Sequence, residues 1–163
     1  MREINIWTDG ACSGNPGIGG YAFMVIPESG LPLKVSGYSK ETTTNNRMEL
    51  YAIISALKNT INNPEWLANT KSLIIVHSDS SYCINPINQG WIFFWASNKW
   101  RTRDYKPVKN SDLWKQLYEI LNEHKNKIMF VKIKGHSGDK HNEEVDKAAK
   151  EAIKRYKVKY NGK

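Results

Sequence analysis

The sequence predicts an α/β protein, a mixed β-sheet with helices packed on its faces. Segments with strand periodicity open the chain and recur near its middle and end. Segments with helical periodicity separate and follow them, giving the order β-β-β-α-β-α-α-β-α, which a layered mixed sheet explains. No repeat, low-complexity tract or linker divides the chain, and 163 residues suit a single domain, 1–163, with a sizeable core.

Residues Glu3 to Thr8 alternate around Ile4, Ile6 and Trp7 and read as the first strand. GACSGNPGIGG (10–20) reads as a glycine-rich turn, so Asp9 falls where the strand ends. Tyr21–Ile26 and Leu33–Ser39 are joined by Pro27-Glu28-Ser29-Gly30, the signal of an antiparallel hairpin. From Asn45 to Asn59 the period becomes helical: Leu50, Ile53, Ile54 and Leu57 share one stripe, and Thr44 or Asn45 can cap the start. The apolar run Leu73–Val76 suits a strand covered on both faces. A helix is expected from Ser80, another over Asp112–Glu123 with Leu113, Leu117, Tyr118 and Leu121 on one stripe, a strand over Ile128–Ile133 and a last helix over Glu143–Tyr156. Residues 91–109 mix aromatic and basic residues.

With 40% hydrophobic and 25% charged residues, the composition is that of a globular protein. No apolar run approaches the roughly 18 residues that cross a bilayer, and MREINIW lacks the apolar core of a signal peptide. Cys12 and Cys83 have no metal-binding spacing and are too few for a disulfide scaffold; reduced thiols in the cytoplasm are expected. A net charge of +8 favours polyanionic partners.

Against that positive charge stand four acids in distinct settings: Asp9 in IWTDGACSGNPGIGG, Glu49 in TTTNNRMEL, Asp79 in VHSDSSY and Asp146 in KGHSGDKHNEEVD. If the strands before Asp9 and Asp79 are parallel neighbours, both carboxylates emerge at one sheet edge, where α/β proteins bind ligands. Glu49 lies in the first turns of a helix and Asp146 near the start of the last one. Singly, each acid is more often a cap, a turn residue or a surface charge. Gathered inside a basic protein, they suit hard divalent cations acting on a phosphate substrate.

TDGACSGNPGIGG, TTNNRMEL, SDSSY, PVKNSDLW and GHSG followed by NEEVD have the order and approximate spacing seen in type 1 (bacterial-type) ribonuclease H, and the chain resembles that family over nearly its whole length. The resemblance implies a ribonuclease H-like fold with a five-stranded mixed sheet and helices on both faces. It also implies a magnesium-dependent endonuclease that cuts the RNA strand of an RNA–DNA hybrid and leaves 5′-phosphate and 3′-hydroxyl ends; a monomer without an obligate protein partner is the default expectation. The family's metal-binding carboxylates fall on Asp9, Glu49, Asp79 and Asp146, and its catalytic-loop histidine on His136. Two Mg²⁺ ions, with Mn²⁺ as a possible substitute, serve the attacking and leaving oxygens of phosphodiester hydrolysis. Asp9 is expected to bridge them, and without metal at least one carboxyl pKa should rise.

For the hybrid, Cys12, Asn15, Asn45 and Asn46 match family positions along the minor groove, where 2′-hydroxyls mark the RNA strand, and Gly10 and Gly14 would let backbone approach closely. Thr44 matches a contact to a DNA phosphate. Ser81 stands where related bacterial proteins often carry glutamine. Residues 91–109 resemble the family's basic protrusion, with Trp91, Lys99, Trp100 and Arg101 as candidate contacts and Trp95 as readily explained by helix core. Ala96-Ser97-Asn98-Lys99 is less basic than the family's usual version. The competing reading is a non-catalytic binder of hybrids or double-stranded RNA on the same fold, in which facing carboxylates towards phosphate would gain nothing.

Overall fold

In the computed structural model, residues 2–67, 72–134 and 138–161 are described. Five strands form one sheet in the order β3-β2-β1-β4-β5. They are β1 (Glu3–Ser13), β2 (Ile18–Ile26), β3 (Leu33–Tyr38), β4 (Leu73–Ser78) and β5 (Ile128–Lys132). Strands β1, β2 and β3 pair antiparallel, whereas β1–β4 and β4–β5 are parallel. The mixed sheet read from the sequence is present, and the strand carrying Asp9 occupies its centre.

Helices α1 (Asn45–Ile61) and α5 (Ser111–Glu123) cover one face, and α6 (Lys140–Asn161) covers the other. The α1 stripe forms for the expected reason: Leu50, Ile53, Ile54 and Leu57 are all buried, packed with Ile4 and Ile6 of β1 and Phe23 and Val25 of β2. Thr44 is the cap, its hydroxyl accepting from the Arg47 amide at 3.3 Å. On the opposite face, Val145, Ala148 and Ala149 of α6 lie on Ala22 and Met24.

The first strand corrects one expectation. It runs through the glycine-rich stretch to Ser13, and its register with β2 continues unbroken from Asn5↔Ile26 to Ser13↔Ile18. Asp9 is therefore a mid-strand residue. Two of the glycines serve close approach: a Cβ on Gly10 would overlap the Glu49 amide nitrogen, and one on Gly20 would overlap the Ala149 carbonyl. These missing side chains let α1 and α6 lie directly on the sheet.

The remaining helices are α2 (Pro64–Leu67), α3 (Ser81–Asn88) and α4 (Trp91–Ser97). Helix α3 is capped by Ser80, whose hydroxyl accepts from the Cys83 amide at 3.2 Å. Among the described residues, no helix is long and apolar enough to cross a membrane.

Candidate active site

The parallel pairing of β1 and β4 brings Asp9 and the Asp79 that follows β4 to the same part of the sheet. Asp9 shares the α6 face with Trp7 and Ala11 by strand alternation, while Gly10 turns towards α1. Because Gly10 has no side chain, the first turns of α1 settle onto β1 and deliver Glu49 beside Asp9. The outcome is a compact acidic group: carboxylate oxygens of Asp9, Glu49 and Asp79 all lie within 4.8 Å of one another. Asp146, in the second turn of α6, lines the same cleft, and its Oδ2 accepts from Lys150 Nζ at 3.0 Å.

Crowding these acids in a partly dry site changes their chemistry. Asp9 is only 4% exposed, and burial raises its carboxyl from an ordinary 3.8 to about 7, opposed by a hydrogen bond with Glu49 and reinforced by the Asp79 charge. Burial likewise lifts Glu49 well above the usual carboxylate range, and the charge of Asp9 adds to it. A proton shared between them at neutral pH is the relief available without a cation.

The donor set also fits hard divalent ions. Oε2 of Glu49 is buried with no hydrogen-bond partner, as is Oδ1 of Asn142 on the cleft wall. Carboxylate and carbonyl oxygens are the ligands Mg²⁺ and Mn²⁺ prefer, and a cation here would satisfy the orphaned oxygen and remove the need for the shared proton.

The other candidates form a band around this cleft. Gly10, Cys12, Asn45 and Asn46 line it directly. Asn15 sits in the exposed turn after β1, where its Oδ1 accepts from the Asn45 amide at 3.1 Å. Gly17 and Thr43 exchange two backbone bonds of 2.8 and 2.9 Å, which tie this turn to the residues just before α1. Cys12 Sγ donates to the carbonyls of Gly14 and Thr43 at 3.2 and 3.4 Å and sits between them.

The aromatic-basic segment is brought close to α1 by α5. Arg47 makes a two-pronged pair with Asp112 at 2.7 and 3.0 Å and also reaches Asn110 Oδ1 at 3.0 Å. Trp91 is 45% exposed, and Lys99 and Arg101 are also exposed. Trp100 is half-buried against Tyr118, and Trp95, also half-buried, packs edge-on against buried Trp114 at the margin of the core. Backbone φ values of +56° at Lys99 and +59° at Trp100 turn the chain sharply here, and Arg101 Nη1 holds the Tyr105 carbonyl at 3.1 Å. His136 lies outside the described residues.

Sequence reasoning did not single out Asn142, Glu143, Ser80 or Lys150, all of which line the cleft. Helical spacing contained part of the signal, since 142, 146 and 150 share one face of a helix.

Comparison with known proteins gives one consistent result. Residues 1–154 match the RNase H family. The ribonuclease H of Caldanaerobacter subterraneus subsp. tengcongensis is 45% identical over 153 residues, covering 94% of this chain and 92% of the relative. That of Chlorobium phaeobacteroides (strain BS1) is 45% identical over 154 residues, covering 94% and 97%. Among solved structures, LC11-RNase H1 in complex with an RNA/DNA hybrid superposes with a TM-score of 0.69 at 25% identity, covering 94% of this chain and 98% of that one. The solution structure of the PFV RNase H domain gives 0.74 at 23% identity, covering 95% and 96%, and supports the fold. With its motifs, its sheet order and these relatives in agreement, the chain belongs to the ribonuclease H family.

Proposed function

We propose that this ribonuclease H hydrolyses the RNA strand of RNA–DNA hybrids with two divalent ions, Mg²⁺ or in its place Mn²⁺, leaving 5′-phosphate and 3′-hydroxyl ends. The observation that carries the reading is the Asp9–Glu49–Asp79 group, with carboxylate oxygens within 4.8 Å of one another in a cleft that Asp146 borders. Bound ions would activate the attacking water and relieve charge on the leaving oxygen. Asp9, on the central strand, would hold both ions. Glu49 and Asp79 would help hold the one that activates the attacking water, and Asp146 the one that relieves the leaving group.

The other residues orient the substrate. Cys12, Asn15, Asn45 and Asn46 line a minor groove whose 2′-hydroxyls distinguish RNA from DNA, and Gly10 and Gly14 let the backbone approach closely. Thr44 takes a phosphate of the DNA strand, and Trp91, Lys99, Trp100 and Arg101 hold the duplex at the aromatic-basic segment. His136 moves protons as the leaving group departs, a task suited to a histidine side chain near neutral pH. The free thiols of Cys12 and Cys83 suit a cytoplasmic enzyme acting as a monomeric single domain.

A labelled hybrid incubated beside RNA–RNA and DNA–DNA duplexes, with Mg²⁺ or with chelator, tests the proposal. Cleavage confined to the RNA of the hybrid and lost with chelator is expected. Binding of the hybrid without cleavage in Mg²⁺ would instead support a non-catalytic binder.

A further inference from the structure

Helix α6 divides its charges between two flanks. On the flank towards β3, Glu144 pairs with Lys34 at 3.8 Å and Arg155 Nη2 donates to Ser36 Oγ at 2.9 Å. On the flank towards the cleft, Lys150 holds Asp146 and Lys157 Nζ donates to Ser13 Oγ at 2.9 Å, with exposed Lys154 on the turn between them. Ser13 ends the strand that supplies Asp9, Gly10 and Cys12 to the cleft. From Lys147 to Lys159 the helix carries six cations against one acid, Glu151. The helix continues to Asn161, past residue 154 where the family match ends. Tyr156 packs against Tyr38 of β3 at 5.2 Å between ring centres, so this extension is seated on the sheet.

We propose that Lys154 and Lys157, continuing the line of Lys150, form a second electrostatic contact for the nucleic-acid backbone, extending the cleft along β1 on the side away from the aromatic-basic segment. The inference rests on the proposed hybrid substrate and adds a place where its backbone is held. Asp146 and Lys157 are 11 residues apart on one helix face, about 16 Å along its axis, a length over which a strand presents several phosphates. A lysine resting on a neutral serine hydroxyl can turn to phosphate without breaking an ion pair. On the β3 flank, Glu144 contributes an opposing charge, and that flank faces away from the cleft.

The test compares two double variants that remove the same charge. Dissociation constants for a long hybrid are measured against salt in an Asp9→Asn background, which prevents cleavage. Lys154→Ala with Lys157→Ala should reduce the log–log salt slope by about 2, so its defect relative to the parent narrows about tenfold between 50 and 200 mM salt. Arg155→Ala with Lys159→Ala should leave the slope unchanged. An unchanged slope in the first variant, or equal losses in both, would overturn the proposal. Failure of the parent sequence to cleave any hybrid would instead remove the substrate on which the inference stands, a result read separately with native Asp9. Matching melting temperatures for the two variants check that the first has not simply lost the Ser13 anchor.

Discussion

Replacing Asp9 with asparagine should abolish cleavage while making the metal-free protein more stable, because the carboxylate is held where its charge is disfavoured. Burial raises its pKa from 3.8 to about 7. The folded state therefore keeps a proton that the unfolded chain releases above about 3.8, so stability falls as pH rises through that window and levels off above 7. A rise of about 3 at 1.36 kcal/mol each amounts to roughly 4 kcal/mol at pH 8 and little near pH 4. Burying an asparagine amide whose hydrogen bonds are incomplete returns about 1–3 kcal/mol of that. A net gain of about 2 kcal/mol remains, or roughly 4–8 °C in Tm for a chain of this size. Thermal melts of both proteins in chelator from pH 5 to 8 provide the assay. The advantage of Asp9→Asn should grow with pH, and saturating Mg²⁺ should stabilise the parent more than the variant. A variant that melts below the parent at pH 8 in chelator, or a gap independent of pH, would refute the reasoning.

Gly10→Ala places a methyl group against the Glu49 amide and pushes α1 off the sheet; a loss of about 1–3 kcal/mol in denaturant melts is expected, with a larger proportional loss in kcat as Glu49 moves from Asp9. Neutralising Lys99 and Arg101 together should raise KM and lower the salt slope by about one for each phosphate contact removed; a slope matching the parent would exclude the segment as a contact. His136→Ala should slow turnover without abolishing it, in contrast to Asp9→Asn, and equal losses in a steady-state assay would contradict that ranking.

Most of the architecture was readable because it rests on local rules. The Leu50–Ile53–Ile54–Leu57 stripe, the Thr44 and Ser80 positions and the apolar run of β4 each carry their signal within a few residues. The extents of β1 and β2 did not, since Gly10 and Gly20 look like turn residues in sequence and act as contact surfaces for α1 and α6, a property of residues far along the chain. Helix α4 was also obscured. Of its seven residues only Ile92 is buried, and its start is set by the left-handed backbone of Gly90, so neither an apolar stripe nor a side-chain cap marks it. In the site, the four acids stood out by their surroundings. Asn142 and Lys150 became visible only once α6 was known to begin at Lys140 and to turn that face into the cleft.

Anomalous diffraction from Mn²⁺ in crystals of the protein with an uncleavable hybrid tests most directly whether these carboxylates grip a pair of ions. Two peaks beside the RNA strand are expected, both against Asp9, one also reached by Glu49 and Asp79 and the other by Asp146. A fully occupied complex with no peak among those four side chains would contradict the account.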